Sequence, residues 1–247
     1  PQLKLEGLSV KAQRGKEENL LTMKQANVSV KLLPLISGDV QIDTVRLVNP
    51  DIRLETLPDG STNWMSDKLL ADKNAPSSTG GQTSPASSGS KQFSLDKLTI
   101  EDGRVSYQNR QTGGSQLAEK INLTVGADSL QGPFEAGGSL VYGGKTIEID
   151  AKTKRAVGDN KEIPADLEIS LPENNAHIAF DGIIAQEPME IQGKLEVKTD
   201  NLASVLALGG GEGAPALARK LAFSGLVTAS EDTFQGEDMD VTFGDAK

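Results

Sequence analysis

Residues 42–60 read IDTVRLVNPDIRLETLPDG, and residues 95–113 repeat the same pattern as LDKLTIEDGRVSYQNRQTG. The two stretches align without gaps, so that Ile42 matches Leu95 at the start and both copies close on a glycine. The apolar residues in each copy alternate with polar ones, which is typical of a strand with one buried face. The alignment therefore predicts an internal repeat built from β-strands.

Both copies also contain the same break in this alternation. Apolar residues fall at 42, 45 and 47 and again at 95, 98 and 100, so the period slips at Asp43 and at Asp96. A β-bulge inserts one residue in this way. Because Asn-Pro-Asp and Glu-Asp-Gly follow as turn signals, residues 40–57 and 93–110 are predicted to form two superposable hairpins, each bent at its bulge.

From residue 121 onward the chain consists almost wholly of short alternating segments such as TIEIDAKT and MEIQGKLEV. Short connections favour an antiparallel meander. The predicted fold is mainly β, a meander of short strands curled into an elongated groove or half-open barrel, with a few short helices. The apolar residues of these strands, which we predict to line one face, are Ile121, Leu123, Val125, Ile147, Ile149, Leu167, Ile169, Ile178, Phe180, Met189, Ile191, Leu195 and Val197.

Domain organisation follows from one stretch of low complexity. Residues 75–90, APSSTGGQTSPASSGS, contain only uncharged, mostly small and turn-forming residues and predict a flexible Ser/Gly/Thr/Pro linker. This linker divides a hairpin module at 1–74 from a sheet module at 91–247.

Three short helices are also predicted. They cover 64–72, about 201–208 with Asp200 as the cap, and 215–221 after a first-turn proline.

The only tryptophan, Trp64, follows a strand, the Asp59-Gly60 turn and Asn63. We expect Asn63 to cap the first helix. Trp64 is then predicted to pack on the apolar face with Leu69 or Leu70.

Composition excludes several classes of function. The net charge of −10 argues against a nucleic-acid partner and against electrostatic docking to an anionic membrane surface. There is no cysteine and no apolar run long enough to span a bilayer. Both ends have a strand-like pattern, from which we interpret the chain as a piece of a longer protein.

No catalytic constellation emerges from the motifs. The single histidine, His177, has the parity of the polar face, and a Ser170–His177–Asp181 triad has only sequence proximity in its favour. The glycine run at 209–215 lacks the ending of a phosphate loop, and the acidic segment 231–240 lacks a calcium register. The sequence therefore predicts a protein that is not an enzyme and has no metal or cofactor.

The segment VKLLPLISGDVQIDTVRLVNPDIRLETLPDGSTNW, residues 30–64, resembles the N-terminal region of the AsmA family of bacterial envelope proteins. Residues 180–210 are similar to a later part of the family. The residues that occupy the family's places are Leu33, Pro34, Leu35, Gly38, Pro50, Asp59, Gly60, Asn63 and Trp64.

This resemblance implies a periplasmic protein anchored in the inner membrane by an N-terminal helix. It also implies a relation to bridge-like lipid-transfer proteins and a role in phospholipid transport and outer-membrane homeostasis. The chain departs from the family pattern because it lacks the anchor and the C-terminal continuation.

Three functions remain open on the residues alone. One is a lipid-handling module whose apolar groove shields acyl chains, with phospholipid as the partner. Another is a structural or chaperone-like factor that assists outer-membrane protein assembly by offering sheet edges to envelope proteins. The last is a closed β-sandwich that binds sugar or mediates adhesion. Aliphatic side chains with few aromatics suit acyl chains, and the resemblance favours the groove.

Overall fold

The computed structural model describes residues 1–12, 19–31, 42–64, 95–127, 132–158, 161–186, 189–208, 215–230 and 232–244. Thirteen strands form within these ranges. They are β1 Gln2–Lys11, β2 Asn19–Val30, β3 Ile42–Val48, β4 Asp51–Thr56, β5 Leu95–Asn109, β6 Ser115–Ala127, β7 Phe134–Tyr142, β8 Lys145–Thr153, β9 Ile163–Leu171, β10 Ala176–Gln186, β11 Met189–Thr199, β12 Leu221–Ser230 and β13 Phe234–Phe243.

All thirteen strands belong to one sheet, in the order β1-β2-β3-β5 and then in sequence to β13. Strand β4 continues the line of β3 and pairs with both β2 and β5. Neighbours are antiparallel, except that β3 and β4 run parallel to β5. Among the described strands β1 and β13 do not pair with each other, so the sheet is not a closed barrel. The predicted fold class is confirmed.

The two copies of the repeat lie side by side in this sheet. Ile42 pairs with Leu95 and Thr56 pairs with Asn109, in the register of the gapless alignment. The prediction of two hairpins is wrong, because β3 and β4 lie end to end along the single long strand β5. The turn signals at Asn49-Pro50 and Asp102-Gly103 redirect the backbone within a strand and do not reverse it.

The bulges predicted at the start of each copy are confirmed. Between β2 and β3 the pairing passes from Thr44 to Ile42 while β2 advances by one residue, which leaves Asp43 as the extra residue. Between β5 and β6 it passes from Leu98 to Leu95 while β6 advances by two. Asp96 lies within this bulge and pairs with Lys31 at 2.6 Å.

A second irregularity crosses the same strands. Asn49 and Asp102 occupy equivalent places in the two copies, and each has a φ of 50°. Asn and Asp tolerate this left-handed conformation better than other residues with a side chain. The Asn49 Nδ2 donates to Asp102 Oδ2 at 2.7 Å, and the Asp102 N–H donates to Asn122 Oδ1 at 3.0 Å. These bonds hold the irregularity across β3, β5 and β6.

The described chain has one α-helix, α1, at Leu202–Leu208, close to the predicted 201–208. Its cap is Asn201, whose Oδ1 accepts the Ser204 N–H at 3.1 Å, and the prediction of Asp200 is wrong. Asp200 instead accepts a hydrogen bond from Asn175 Nδ2 at 2.8 Å.

The helix predicted at 215–221 is reduced to a 3₁₀ turn at Pro215–Leu217, since Leu221 begins β12. A second 3₁₀ turn covers Pro172–Asn174. The helix predicted at 64–72 lies outside the described residues from 65 onward.

Asn63 has a different role from the predicted helix cap. Its side chain is 1% exposed and bonds back to β4, accepting the Glu55 N–H at 2.9 Å and donating to the Arg53 carbonyl at 2.9 Å. Trp64 meets the Tyr107 ring edge-on, with ring centroids 6.3 Å apart, and keeps 39% of its surface exposed. The contacts predicted with Leu69 and Leu70 lie outside the described residues.

The predicted linker at 75–90 also lies outside the described residues. The division into modules at 1–74 and 91–247 stays a prediction. On either side of the linker, β4 and β5 are nonetheless hydrogen-bonded neighbours in one sheet.

Candidate functional site: the apolar face of the sheet

The pairing register brings the predicted lining residues to one face of the sheet. Residues directly opposite each other on paired strands point to the same side, and alternate residues of a strand share a face. One row of partners runs through Leu123, Gly138, Ile149, Ile169, Ile178 and Val197. A parallel row runs through Val125, Ala136, Ala151, Leu167, Phe180 and Leu195. We call this side the inner face.

The remaining predicted residues have the same parity. Ile191 pairs with Ile184, and Met189 pairs with Gln186, at the far end of β10 and β11. Ile147 pairs with Leu140 at the near end of β7 and β8. Their binding of a lipid stays a prediction, but their common face follows from the register.

The inner face extends well beyond the predicted residues. The first row continues toward one edge through Ile100, Leu47, Ala26 and Leu5. Toward the other edge it continues through Phe223 and Val241. Sequence reasoning missed these residues because it confined the lining to strands after residue 120. The signal was present, since the repeat has the same alternation.

The inner face is only partly covered. In the described part of the chain, just six apolar side chains are buried, and three of them are alanines: Ala26, Ile121, Ala165, Leu171, Ala176 and Val227. Of the thirteen predicted lining residues only Ile121 is buried, and Met189 is 50% exposed. The sheet therefore presents a broad aliphatic surface that no second layer of described residues packs against.

Two glycines lower the floor of this face between β10 and β11. Gly182 and Gly193 are cross-strand partners. A Cβ on Gly193 would lie 2.4 Å from the Asp181 carbonyl oxygen and 2.5 Å from the Gly182 Cα. A Cβ on Gly182 would lie 2.6 Å from the tip of the Phe180 ring. The strands approach too closely here for any side chain, and the Phe180 ring covers the gap.

The opposite, outer face is charged. Lys152, Asp166, Asp181 and Lys194 form one row of partners across β8 to β11. A hydrogen bond to Asp150 raises the pKa of Lys152, and a hydrogen bond to Glu196 raises the pKa of Lys194. A hollow of about 770 Å³ lies over this face, lined largely by these charged residues. Its charged lining suits water and ions better than acyl chains.

His177 lies on the outer face, as its parity predicts. Its Nδ1 is 3.3 Å from the Ser170 Oγ. Asp181 pairs with Asp166 and Lys194, two pleats further along β10, which is roughly 13 Å from His177. These residues therefore do not assemble a triad. Within the described ranges no group of three or more Asp, Glu or His residues is arranged to hold a metal ion.

No helix in the described part of the chain is long and apolar enough to cross a membrane. The family model described as the AsmA family matches residues 1–215 of the chain. The search of curated proteins gives no match.

Proposed function

Because the chain belongs to the AsmA family of envelope proteins, we propose that its inner face shields lipid acyl chains during phospholipid transport. The observation that carries this proposal is the continuity of the apolar rows, which cross the sheet from β1 to β13 while most of their members stay partly exposed. Soluble proteins seldom expose a contiguous apolar surface of this extent unless it binds something.

The dimensions of the inner face fit an acyl chain. Neighbouring strands lie about 4.8 Å apart, so the six strands from β6 to β11 span roughly 25 Å, close to the length of an extended fatty acyl chain. The lining is aliphatic, with Phe180 as its one aromatic member among the predicted residues. Each methylene removed from water on such a surface contributes about 0.8 kcal/mol to binding.

The finer parts of the proposal rest on family membership. We infer a periplasmic location, an inner-membrane anchor on the complete protein, and a role in outer-membrane phospholipid homeostasis. The proposed activity is non-enzymatic and needs no cofactor. Transfer then depends on a lipid moving along the face without any bond being made or broken.

The alternative, assistance to outer-membrane protein assembly, would use the free edges β1 and β13. Both edges are irregular. Gly7 in β1 has a φ of 62°, and the β12–β13 register shifts between Ser224 and Leu226. Such bulges make an edge a poor template for another strand. The edges therefore support the chaperone-like function less well than the inner face supports lipid binding.

The proposal is tested by placing a charge on the inner face. Ile149→Asp and Ile191→Asp should leave the fold intact, because the new carboxylate stays in contact with water on an open face. Binding of a fluorescent fatty acid should weaken by roughly tenfold or more, since the carboxylate removes contacts to two or three methylenes. The control is Gln192→Asp, which adds the same charge one residue away on the outer face.

The measurements are the melting temperature and fatty-acid titration of all three variants and the parent, with native mass spectrometry of the purified parent to detect bound lipid. Unfolding of both inner-face variants, together with no lipid bound by the parent, would mean that the face is a closed core. Equal weakening by Gln192→Asp would mean that charge alone, and not the inner face, controls binding.

A further inference from the structure

The inner face carries one charged residue outside the bulges. Among the inward positions of the described strands, Lys145 alone has an ionisable group that is charged at neutral pH; it pairs with Tyr142 and shares the parity of Ile147 and Ile149. Every other inward position holds an apolar or uncharged polar residue. A single cation on an otherwise uncharged face of thirteen strands needs an explanation.

Lys145 lies at the end of the face where the amphipathic aromatic residues are found. The chain has one tryptophan and two tyrosines. Tyr142 is in the row of Ala118 and Val105, and Tyr107 is the next inward residue on β5 after Val105. Trp64 packs on Tyr107. Tyr and Trp favour places where apolar and polar surroundings meet. This end of the face therefore changes from aliphatic to amphipathic.

A hollow of about 370 Å³ opens at this end, between the β7–β8 turn and α1. Its lining includes Ser115, Gln116, Tyr142, Lys145, Ser204 and Leu208. The Leu208 side chain approaches Gly143 and brings the helix against the turn. The hollow combines hydroxyl, amide and ammonium donors with an apolar wall.

The charge of Lys145 is held in place but keeps free donors. Its Nζ donates to Asn174 Oδ1 at 2.9 Å, and an ammonium group has three N–H donors. Two carboxylates lie nearby and have other partners. Glu119 pairs with Arg104 at 3.9 Å, and Glu173 accepts the Thr146 N–H at 3.1 Å. Neither of them is within salt-bridge distance of Lys145 in the described structure.

We infer that Lys145 and Tyr142 bind the anionic head group, a phosphate or a carboxylate, of a lipid whose acyl chain lies along the inner face. The inference rests on the proposed function and adds a fixed orientation, with the head at the Lys145 end and the chain on the rows through Ile149 and Phe180. Lys145 donates to the anion, and the Tyr142 hydroxyl adds a second donor.

The test compares two probes with the same chain, a fluorescent polyene fatty acid and its methyl ester, on the parent and on Lys145→Gln and Lys145→Arg. The parent should bind the acid about tenfold more tightly than the ester, because a charge-assisted hydrogen bond is lost with the ester. Lys145→Gln should remove this preference and leave ester binding unchanged, whereas Lys145→Arg should keep it. Lys198→Gln, which removes a lysine from the outer face, is the matched control.

The outcomes separate the head-group site from the groove. Ester binding with no preference for the acid, or a preference that survives Lys145→Gln, overturns the head-group site and leaves the groove intact. Failure of both probes to bind overturns both proposals. Inorganic phosphate that competes with the acid but not with the ester supports an anion site at Lys145. Phosphate that binds the parent as tightly as the fatty acid does would assign the site to free phosphate and overturn the lipid head group.

Discussion

Two regions of the sheet maintain an apolar face by different means. From β8 to β12 every pairing continues without a register shift. Within the first six strands the register shifts in the β1–β2 and β2–β3 pairings and three times in β5–β6. The same apolar row nevertheless crosses both regions. Each bulge turns one extra residue outward and so bends the sheet without mixing its two faces.

The special residues of the two regions have different causes. In the bulged region Gly7, Asn49, Asp102 and Lys120 have positive φ values near 50–62°, so backbone conformation restricts the choice of residue. In the regular region Gly182 and Gly193 have no positive φ, and the close approach of two strands restricts it. The first region is sensitive to which conformations a residue can adopt, and the second is sensitive to its size.

The largest effect is expected from adding one methyl group in the regular region. Gly193→Ala places a Cβ against backbone atoms that cannot move aside and should lower the free energy of unfolding by about 2–4 kcal/mol. Gly137→Ala is the control, because a Cβ there meets nothing nearer than 3.4 Å. Urea denaturation of both variants measures the difference. A Gly193→Ala protein as stable as the control would show that the strands can separate at little cost.

An intermediate effect is expected at the second irregularity of the bulged region. Asp102→Ala should cost about 1–2 kcal/mol, because alanine is strained at a φ of 50° and the bond from Asn49 is lost. Asp102→Asn keeps both the conformation and an acceptor and should cost less than about 0.5 kcal/mol. Thermal unfolding of the pair tests this. Equal losses for Ala and Asn would mean that the charge of Asp102, and not its backbone conformation, is what matters.

The smallest effect is expected at the clamp between β3 and β5. Arg46 donates to both oxygens of Glu101 at 2.6 Å on the exposed outer face, and this hydrogen bonding lowers the pKa of Glu101. A lowered folded-state pKa contributes stability above the unfolded pKa, and that contribution is lost as the pH falls through the folded value. Glu101→Gln should therefore reduce the melting temperature slightly at neutral pH and not at all in acid.

The Arg46→Gln variant and the double variant complete this measurement. If the clamp acts as a pair, the double variant should be no less stable than either single variant. A loss from Glu101→Gln that persists in acid would assign the effect to something other than the ion pair.

The sequence predicted the regular region better than the bulged one. Alternation alone placed Ile149 and Ile169 on a common face, because period-2 patterns translate directly into register when no residue is inserted. In the repeat, Asn49-Pro50 and Asp102-Gly103 were read as turns, since the residues that permit a turn also permit a bulge. Only pairing with β5, far away in the chain, distinguishes the two.

The candidate site was predicted in its centre and missed at its end. Lys145 was left out because the strand was defined by its first apolar residue, Ile147, and a lysine at a strand start resembles an ordinary solvent-exposed residue. Asn63 was misassigned for a related reason. Its partners on β4 lie behind it in the chain, whereas a helix cap would look forward.

The parallel pairing of the two repeat copies has a consequence for the order of folding. Each residue of β3 and β4 waits for a partner 53 positions later, whereas β8 to β12 find theirs through short hairpins. Closing the longer loop costs more chain entropy and slows contact formation. We expect the C-terminal meander to nucleate first and β5 to recruit β3 and β4 afterwards. Folding would then proceed against the direction of synthesis, with β3 and β4 lacking their β5 neighbour until β5 has emerged.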